Sequence, residues 1–100
     1  MPTRAAADHL RAIEQGNRAT RVRETMGLTQ DEFGALLKRT LRVYGVRRHY
    51  DKSLVSRIES GARKLKPEEA VVIAELDPEQ RGIWWLMFGH ALPPARESRP

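Results

Sequence analysis

The sequence predicts an all-α protein, a compact bundle of about five to six short helices. Two features of its pattern carry this prediction. No segment alternates apolar and polar residues with a period of two, whereas several segments repeat apolar residues with a period near 3.6. Residues that commonly begin or end helices frame these segments. At 100 residues the chain has the length of one small domain, which often needs tight helix packing or a partner subunit to be stable.

The first predicted helix covers about residues 4–15. Thr3 is placed to cap its amino end, and Gly16 is expected to stop it. Leu10 and Ile13 are its main apolar residues, so its apolar stripe is narrow. On this interpretation residues 1–16 form an N-terminal extension.

The second predicted helix opens the main domain, which we place at residues 17–90. Asn17 is expected to cap this helix, and Gly27 is expected to end it. Three apolar residues share one of its faces: Ala19, Val22 and Met26.

The third helix has the clearest start in the sequence. Thr29 and Glu32 have the spacing of a capping box, in which the side chain of each residue accepts a hydrogen bond from the backbone amide of the other. Five apolar or aromatic residues follow as one continuous stripe: Phe33, Leu36, Leu37, Leu41 and Tyr44. We expect a helix of about four turns that ends near Gly45.

Three further helices complete the predicted bundle. After a basic connection over residues 46–51, Asp51 is expected to cap a short helix that packs Val55 or Leu54 inward with Ile58 and ends at Gly61.

The last two helices are predicted to begin at prolines. Pro67 should start a helix through Leu76, and Asp77 should cap another that starts at Pro78 and runs to about Phe88. Four residues of the first are expected to be buried: Ala70, Val71, Ile73 and Ala74. The tail at residues 91–100 is predicted to be disordered because it combines proline with charge.

Charge is strongly segregated along the chain. Residues 38–66 carry ten cations against only Asp51 and Glu59: Lys38, Arg39, Arg42, Arg47, Arg48, Lys52, Arg57, Arg63, Lys64 and Lys66. Residues 67–80 carry five acids and no cation. A basic face with a neutralised back is typical of a protein that binds a polyanion.

The basic segment lies within a recognisable pattern of residues. Arg23 and the run Gly27-Leu28-Thr29-Gln30 precede a helix that has Gly34 in its first turns, and the run Ser53-Leu54-Val55-Ser56-Arg57-Ile58-Glu59-Ser60-Gly61 follows. This pattern resembles the Cro/CI-repressor (XRE-like) family of helix-turn-helix DNA-binding domains, over about residues 17–89 with the flanking helices. The resemblance implies a lambda-repressor-like arrangement and double-stranded DNA as partner.

The sequence departs from that family at two points. Gly34 stands where alanine is usual. Gln30 and Glu59 lie 29 residues apart, further than is common in the family. The extra length predicts an extended first motif helix and a long connection to the second.

The second motif helix is expected to enter the major groove of DNA. Its exposed residues would then be hydrogen-bonding side chains, here Lys52, Ser53, Ser56 and Arg57, while Val55 and Ile58 pack behind them. Arg57 has the geometry to donate two bonds to guanine, and Lys52 can reach the same edge or a phosphate.

Four other residues receive roles from the resemblance or from their position. Gln30 resembles the residue that clamps a phosphate at a helix amino end. Arg47 and Arg48 are expected to contact the DNA backbone. The resemblance places Arg23 opposite Glu59 as a structural ion pair that joins two helices.

The sequence gives no sign of catalysis. His9, His49 and His90 lack the spacing of metal ligands, no nucleophile or phosphate loop is found, and without cysteine there is no disulfide or thiolate site. We therefore expect no enzyme, metal or cofactor. The longest apolar run, residues 83–88, is too short for a membrane span, so we expect a cytoplasmic protein.

We therefore expect sequence-specific DNA binding by a small prokaryotic or phage transcriptional regulator that acts as a repressor. The last helix carries Trp84, Trp85 and Phe88 on different sides, so one neighbour covers only part of it. A homodimer through this helix is favoured over coverage by the N-terminal helix of the same chain. The rival hypothesis is a protein-interaction module, such as an antitoxin with a toxin or regulator as partner; a small ligand pocket is a third and weaker one.

Overall fold

The computed structural model describes residues 3–90, and that range contains five helices and no strand. The helices are α1 (Arg4–Thr25), α2 (Gln30–Val43), α3 (Lys52–Ser60), α4 (Pro67–Leu76) and α5 (Gly82–Phe88). The predicted all-α bundle is therefore confirmed. The predicted tail at residues 91–100 lies outside the described residues.

The N-terminal segment is one continuous helix, so the predicted break at Gly16 is wrong. Gly16 lies in the middle of α1 because the end of α3 packs directly on it; a Cβ at this position would lie only 2.5 Å from the carbonyl oxygen of Glu59. Asn17 is an exposed helical residue rather than a cap, and Leu10 is exposed. The predicted boundary between residues 16 and 17 thus falls inside a single element.

Helix α2 begins as predicted, at a complete capping box. Thr29 accepts a hydrogen bond from the amide of Glu32, and the Glu32 carboxylate accepts one from the amide of Thr29. Phe33, Leu37 and Leu41 are buried, but Tyr44 is exposed because the helix ends at Val43. The predicted stripe therefore stops one turn early.

The connection between α2 and α3 crosses back over α2 at Gly34. A Cβ at Gly34 would lie 2.6 Å from the carbonyl oxygen of Tyr50, too close for any side chain without a shift of the backbone. This contact gives a physical reason for glycine at a position where the resembling family has alanine: the long connection occupies the space of the methyl group.

Helix α3 has the predicted ends and the predicted buried face. The Asp51 carboxylate accepts a hydrogen bond of 2.8 Å from the amide of Leu54, and Gly61 ends the helix with a φ of 84°. Val55 and Ile58 are buried against the core.

Helix α4 starts at Pro67 as predicted, but its buried face is rotated from the prediction. Val72 is buried where Val71 was expected, and Val71 is exposed. The apolar residues of this helix are consecutive, so their periodicity leaves the phase undetermined.

Helix α5 starts four residues later than predicted, at Gly82. Asp77 does not cap a helix. Its carboxylate oxygens accept hydrogen bonds from the backbone amides of Glu79 and Arg81, at 3.0 and 3.1 Å, and these bonds close a turn. Gln80 has a φ of 50° in this turn, which interrupts any right-handed helix begun at Pro78.

Helix α1 packs along α5 and satisfies its carboxyl end. Arg18 donates to the carbonyl oxygens of Leu86 and Met87 at 2.7 and 3.2 Å, and Gln15 donates to Met87. A guanidinium at a helix carboxyl end also complements the helix dipole. No helix within residues 3–90 has the length and hydropathy needed to cross a membrane.

Candidate nucleic-acid interface

Helix α3 presents a row of polar side chains that have no partner in the described chain. Lys52, Ser53, Ser56 and Arg57 are all exposed. Among the described residues, none accepts a hydrogen bond from these side chains or pairs with their charges. The opposite face of the helix is buried through Val55 and Ile58. The helix therefore offers donors and acceptors to an external ligand.

An ion-pair network fixes the carboxyl end of α3 against the rest of the bundle. Arg23 donates two hydrogen bonds to the Glu59 carboxylate, at 2.7 and 3.1 Å, and a third at 2.8 Å to the carbonyl oxygen of Leu28. The structure thus places Arg23 and Glu59 in the fork that the resemblance implied. Hydrogen bonding to Glu59 raises the pKa of Arg23.

Gln30 belongs to the same network. Its amide nitrogen donates to Glu59 at 3.1 Å, from the first turn of α2. One of its two N–H groups is therefore used within the protein, and one remains for an external acceptor. The side chain is half-buried.

A second buried carboxylate joins the segments that precede and follow α3. Glu69 of α4 is 0% exposed and accepts bonds from Arg63 at 2.6 and 2.9 Å, from the amide of Lys66 at 2.8 Å and from the Tyr50 hydroxyl. Burial alone raises the pKa of Glu69, but the bonds from Arg63 and Tyr50 outweigh it and leave that pKa below its ordinary value. Burial also raises the pKa of Tyr50, to about 12.

Sequence analysis missed the role of Glu69 and Arg63. The two residues lie six positions apart across a loop and the start of α4, a spacing that no helical or strand period indicates. The sequence does hold one signal for Glu69, its position two residues after Pro67. A glutamate there can accept a hydrogen bond from the backbone amide of Lys66, just before the helix.

The two arginines predicted to contact DNA from the connection are placed differently. Arg47 is exposed and has no intramolecular partner within residues 3–90. Arg48 is half-buried and pairs with Glu68 and, at 3.4 Å, with Glu69. The structure therefore brings Arg47 to the surface and commits Arg48 to α4.

Most of the predicted positive field remains on the surface. Arg48 and Arg63 are paired internally, and Lys64 lies 4.0 Å from Asp8. The other seven cations are exposed and unpaired within the described chain: Lys38, Arg39, Arg42, Arg47, Lys52, Arg57 and Lys66.

The three aromatic residues proposed for a dimer interface do not share one environment. Trp84 is 38% and Phe88 52% exposed, and their rings lie 5.1 Å apart on the surface of α5. Trp85 packs on the core and carries the Arg81 guanidinium 4.2 Å from its ring centroid. Helix α1 covers the side of α5 that contains Trp85 but leaves Trp84 and Phe88 open.

Among residues 3–90, no group of three or more histidine or acidic side chains is placed to hold a metal ion.

The chain matches no protein-family model, and no curated protein or solved structure is significantly similar to it.

Proposed function

We propose that this protein binds duplex DNA in a sequence-specific manner through α3, as a small helix-turn-helix transcriptional regulator of the Cro/CI type. One observation carries the proposal. Helix α3 is buried on one face and locked by Arg23 and Glu59, while its other face presents unpartnered donors and acceptors. A rigid helix with such a face has the requirements for reading a major groove. Repression by occupying a promoter is the action that the resemblance implies.

Specificity is assigned chiefly to Arg57. Its guanidinium can donate two parallel bonds to O6 and N7 of guanine, a contact worth about 1–3 kcal/mol of discrimination. Lys52 lies one turn and a half earlier and reaches a base edge or a phosphate. Ser53 and Ser56 add short contacts that do not specify a base alone.

Affinity is assigned to exposed cations and to Gln30. Arg47 and Lys52, which lie on either side of the start of α3, neutralise phosphates, and these contacts make binding depend on salt. The second N–H of Gln30 is available to a phosphate at the amino end of α2. Arg48 is removed from the proposed contacts because its charge is already neutralised by Glu68.

A homodimer through α5 completes the proposal. Trp84 and Phe88 form an exposed aromatic pair on this helix, and a two-fold axis there would present two α3 helices to one duplex. Sedimentation of the wild-type chain at micromolar concentration should give a dimer, and Phe88→Ser, a change at an exposed site, should give a folded monomer. A wild-type monomer with and without DNA would contradict this part.

A protein-interaction module, such as an antitoxin, is the second candidate. An open cavity of about 280 Å³ lies between the end of α2, the connection and α4. It is lined largely by apolar side chains, among them Tyr44, Val46 and Val71. A stable complex with an unrelated protein, together with weak and non-specific DNA binding, would favour this candidate.

The experiment that tests the proposal is selection of bound sites from a random duplex pool. We expect enrichment of a palindrome with guanine in each half-site, because a dimer would place Arg57 twice on the duplex. Recovery of unenriched sequence from repeated rounds would contradict specific recognition by α3.

A further inference from the structure

A basic cleft lies between the carboxyl-terminal half of α2 and the connection to α3. It has a volume of about 220 Å³ and is lined by Lys38, Arg42, Arg47, Arg48 and His49. Lys38 and Arg42 lie four residues apart and so share one face of α2. The cleft is open to solvent and is separate from the exposed row of α3.

No carboxylate neutralises the interior of this cleft. Residues 33–50 contain no aspartate or glutamate, and none lines the cavity. Elsewhere in the described residues three half-buried arginines each pair with a carboxylate: Arg23 with Glu59, Arg63 with Glu69, and Arg81 with Asp77. Apart from Arg48, the Lys and Arg side chains that line the cleft therefore converge without a counter-charge.

Arg48 contributes to the wall of the cleft rather than to its free charge. Its guanidinium pairs with Glu68, on α4, and therefore ties the connection to the bundle. Lys38, Arg42 and Arg47 have no partner within residues 3–90. Three free cations around one cavity repel one another, and an anion bound between them relieves that repulsion.

We propose that this cleft is a phosphate-binding site, with Lys38, Arg42 and Arg47 as its ligating side chains. Two arginines suit a phosphate because each guanidinium can donate parallel bonds to two of its oxygens. The group bound is either a phosphodiester of DNA, which rests on the proposed function and adds Lys38 and Arg42 of α2 to its phosphate contacts, or the phosphate of a free small molecule.

The test uses the full chain and two probes, pyrophosphate and a random-sequence duplex. Binding is followed by NMR through the arginine Nε–H signals, and affinities are compared for Arg42→Ala and Arg39→Ala. Arg39 is a matched control because it is an exposed arginine on α2 that lines a different cavity, beside Leu28 and Glu32.

Binding of pyrophosphate that shifts the Arg42 and Arg47 signals supports the site and identifies a free phosphorylated ligand. Shifts with the duplex alone support it and identify a phosphodiester. In either case Arg42→Ala should weaken binding of that probe roughly two- to fivefold, and Arg39→Ala should not.

No shift at Arg42 and Arg47 with either probe, or equal losses in the two variants, would overturn the proposal. The pyrophosphate titration needs no DNA binding. It therefore still tests the phosphate site if the site-selection experiment contradicts the proposed function.

Discussion

Two buried carboxylates hold α3 in place in different ways. At the carboxyl end, Glu59 belongs to α3 itself, is 8% exposed and receives bonds from Arg23 and Gln30. Glu69 comes from α4, is fully buried and binds both Tyr50, which precedes α3, and Arg63, which follows it. The first cluster fixes α3 to α1 and α2, whereas the second ties the segments on both sides of α3 to α4.

This difference has a consequence for stability. A buried charge that loses its partner costs more than a partly exposed one, since water cannot reach it. The Glu69 cluster should therefore matter more for folding, and the Glu59 cluster more for the orientation of α3 on its ligand.

The largest effect is expected from Glu69→Gln. This change leaves Arg63 without a counter-charge in a buried site, so the free energy of unfolding should fall by about 3–5 kcal/mol. Urea denaturation measures it, with Glu68→Gln as the control because Glu68 is the neighbouring, more exposed carboxylate. Equal losses in the two variants would remove the distinction between them.

A smaller effect is expected from Arg23→Ala, which should lower the free energy of unfolding by about 1–3 kcal/mol because it leaves the nearly buried Glu59 with fewer donors. A double-mutant cycle with Glu59→Gln separates the pair from its surroundings. A coupling energy near zero would show that the fork between the two residues does not hold α3.

The smallest effect concerns pH. The folded-state pKa of Glu69 is lowered, so its contribution to stability is complete above the ordinary glutamate pKa and is lost as pH falls through the lowered value. Stability of the wild type should therefore decline at acid pH, and the decline should be shallower in Glu69→Gln. Asp77, whose pKa Arg81 lowers by hydrogen bonding, should account for part of the slope that remains. Identical acid profiles for the two proteins would show that Glu69 has no lowered pKa.

The sequence predicts the elements whose signals are local. The starts of α2, α3 and α4 follow from Thr29, Asp51 and Pro67, which act within one turn of their own position. The Arg23–Glu59 pair was accessible because both residues belong to one recognisable pattern.

What the sequence does not predict depends on contacts between distant segments. Gly16 is a usual helix stop, and only the approach of α3, some forty residues later, makes it a packing position within α1. The Glu69 cluster likewise depends on how the connection at Tyr50 folds against α4. The apolar residues of α4 and α5 are consecutive, so the sequence does not determine which side of each helix is buried.

The central claim is that the exposed row of α3 reads DNA. Its most direct test compares Arg57→Ala with Arg47→Ala, which removes an exposed cation outside α3, by fluorescence anisotropy on the selected duplex and on a scrambled one. Arg57→Ala should lower the preference for the selected duplex by about 1–3 kcal/mol, while Arg47→Ala should weaken binding of both duplexes alike and leave the preference intact. An unchanged preference in a folded Arg57→Ala variant would contradict the account.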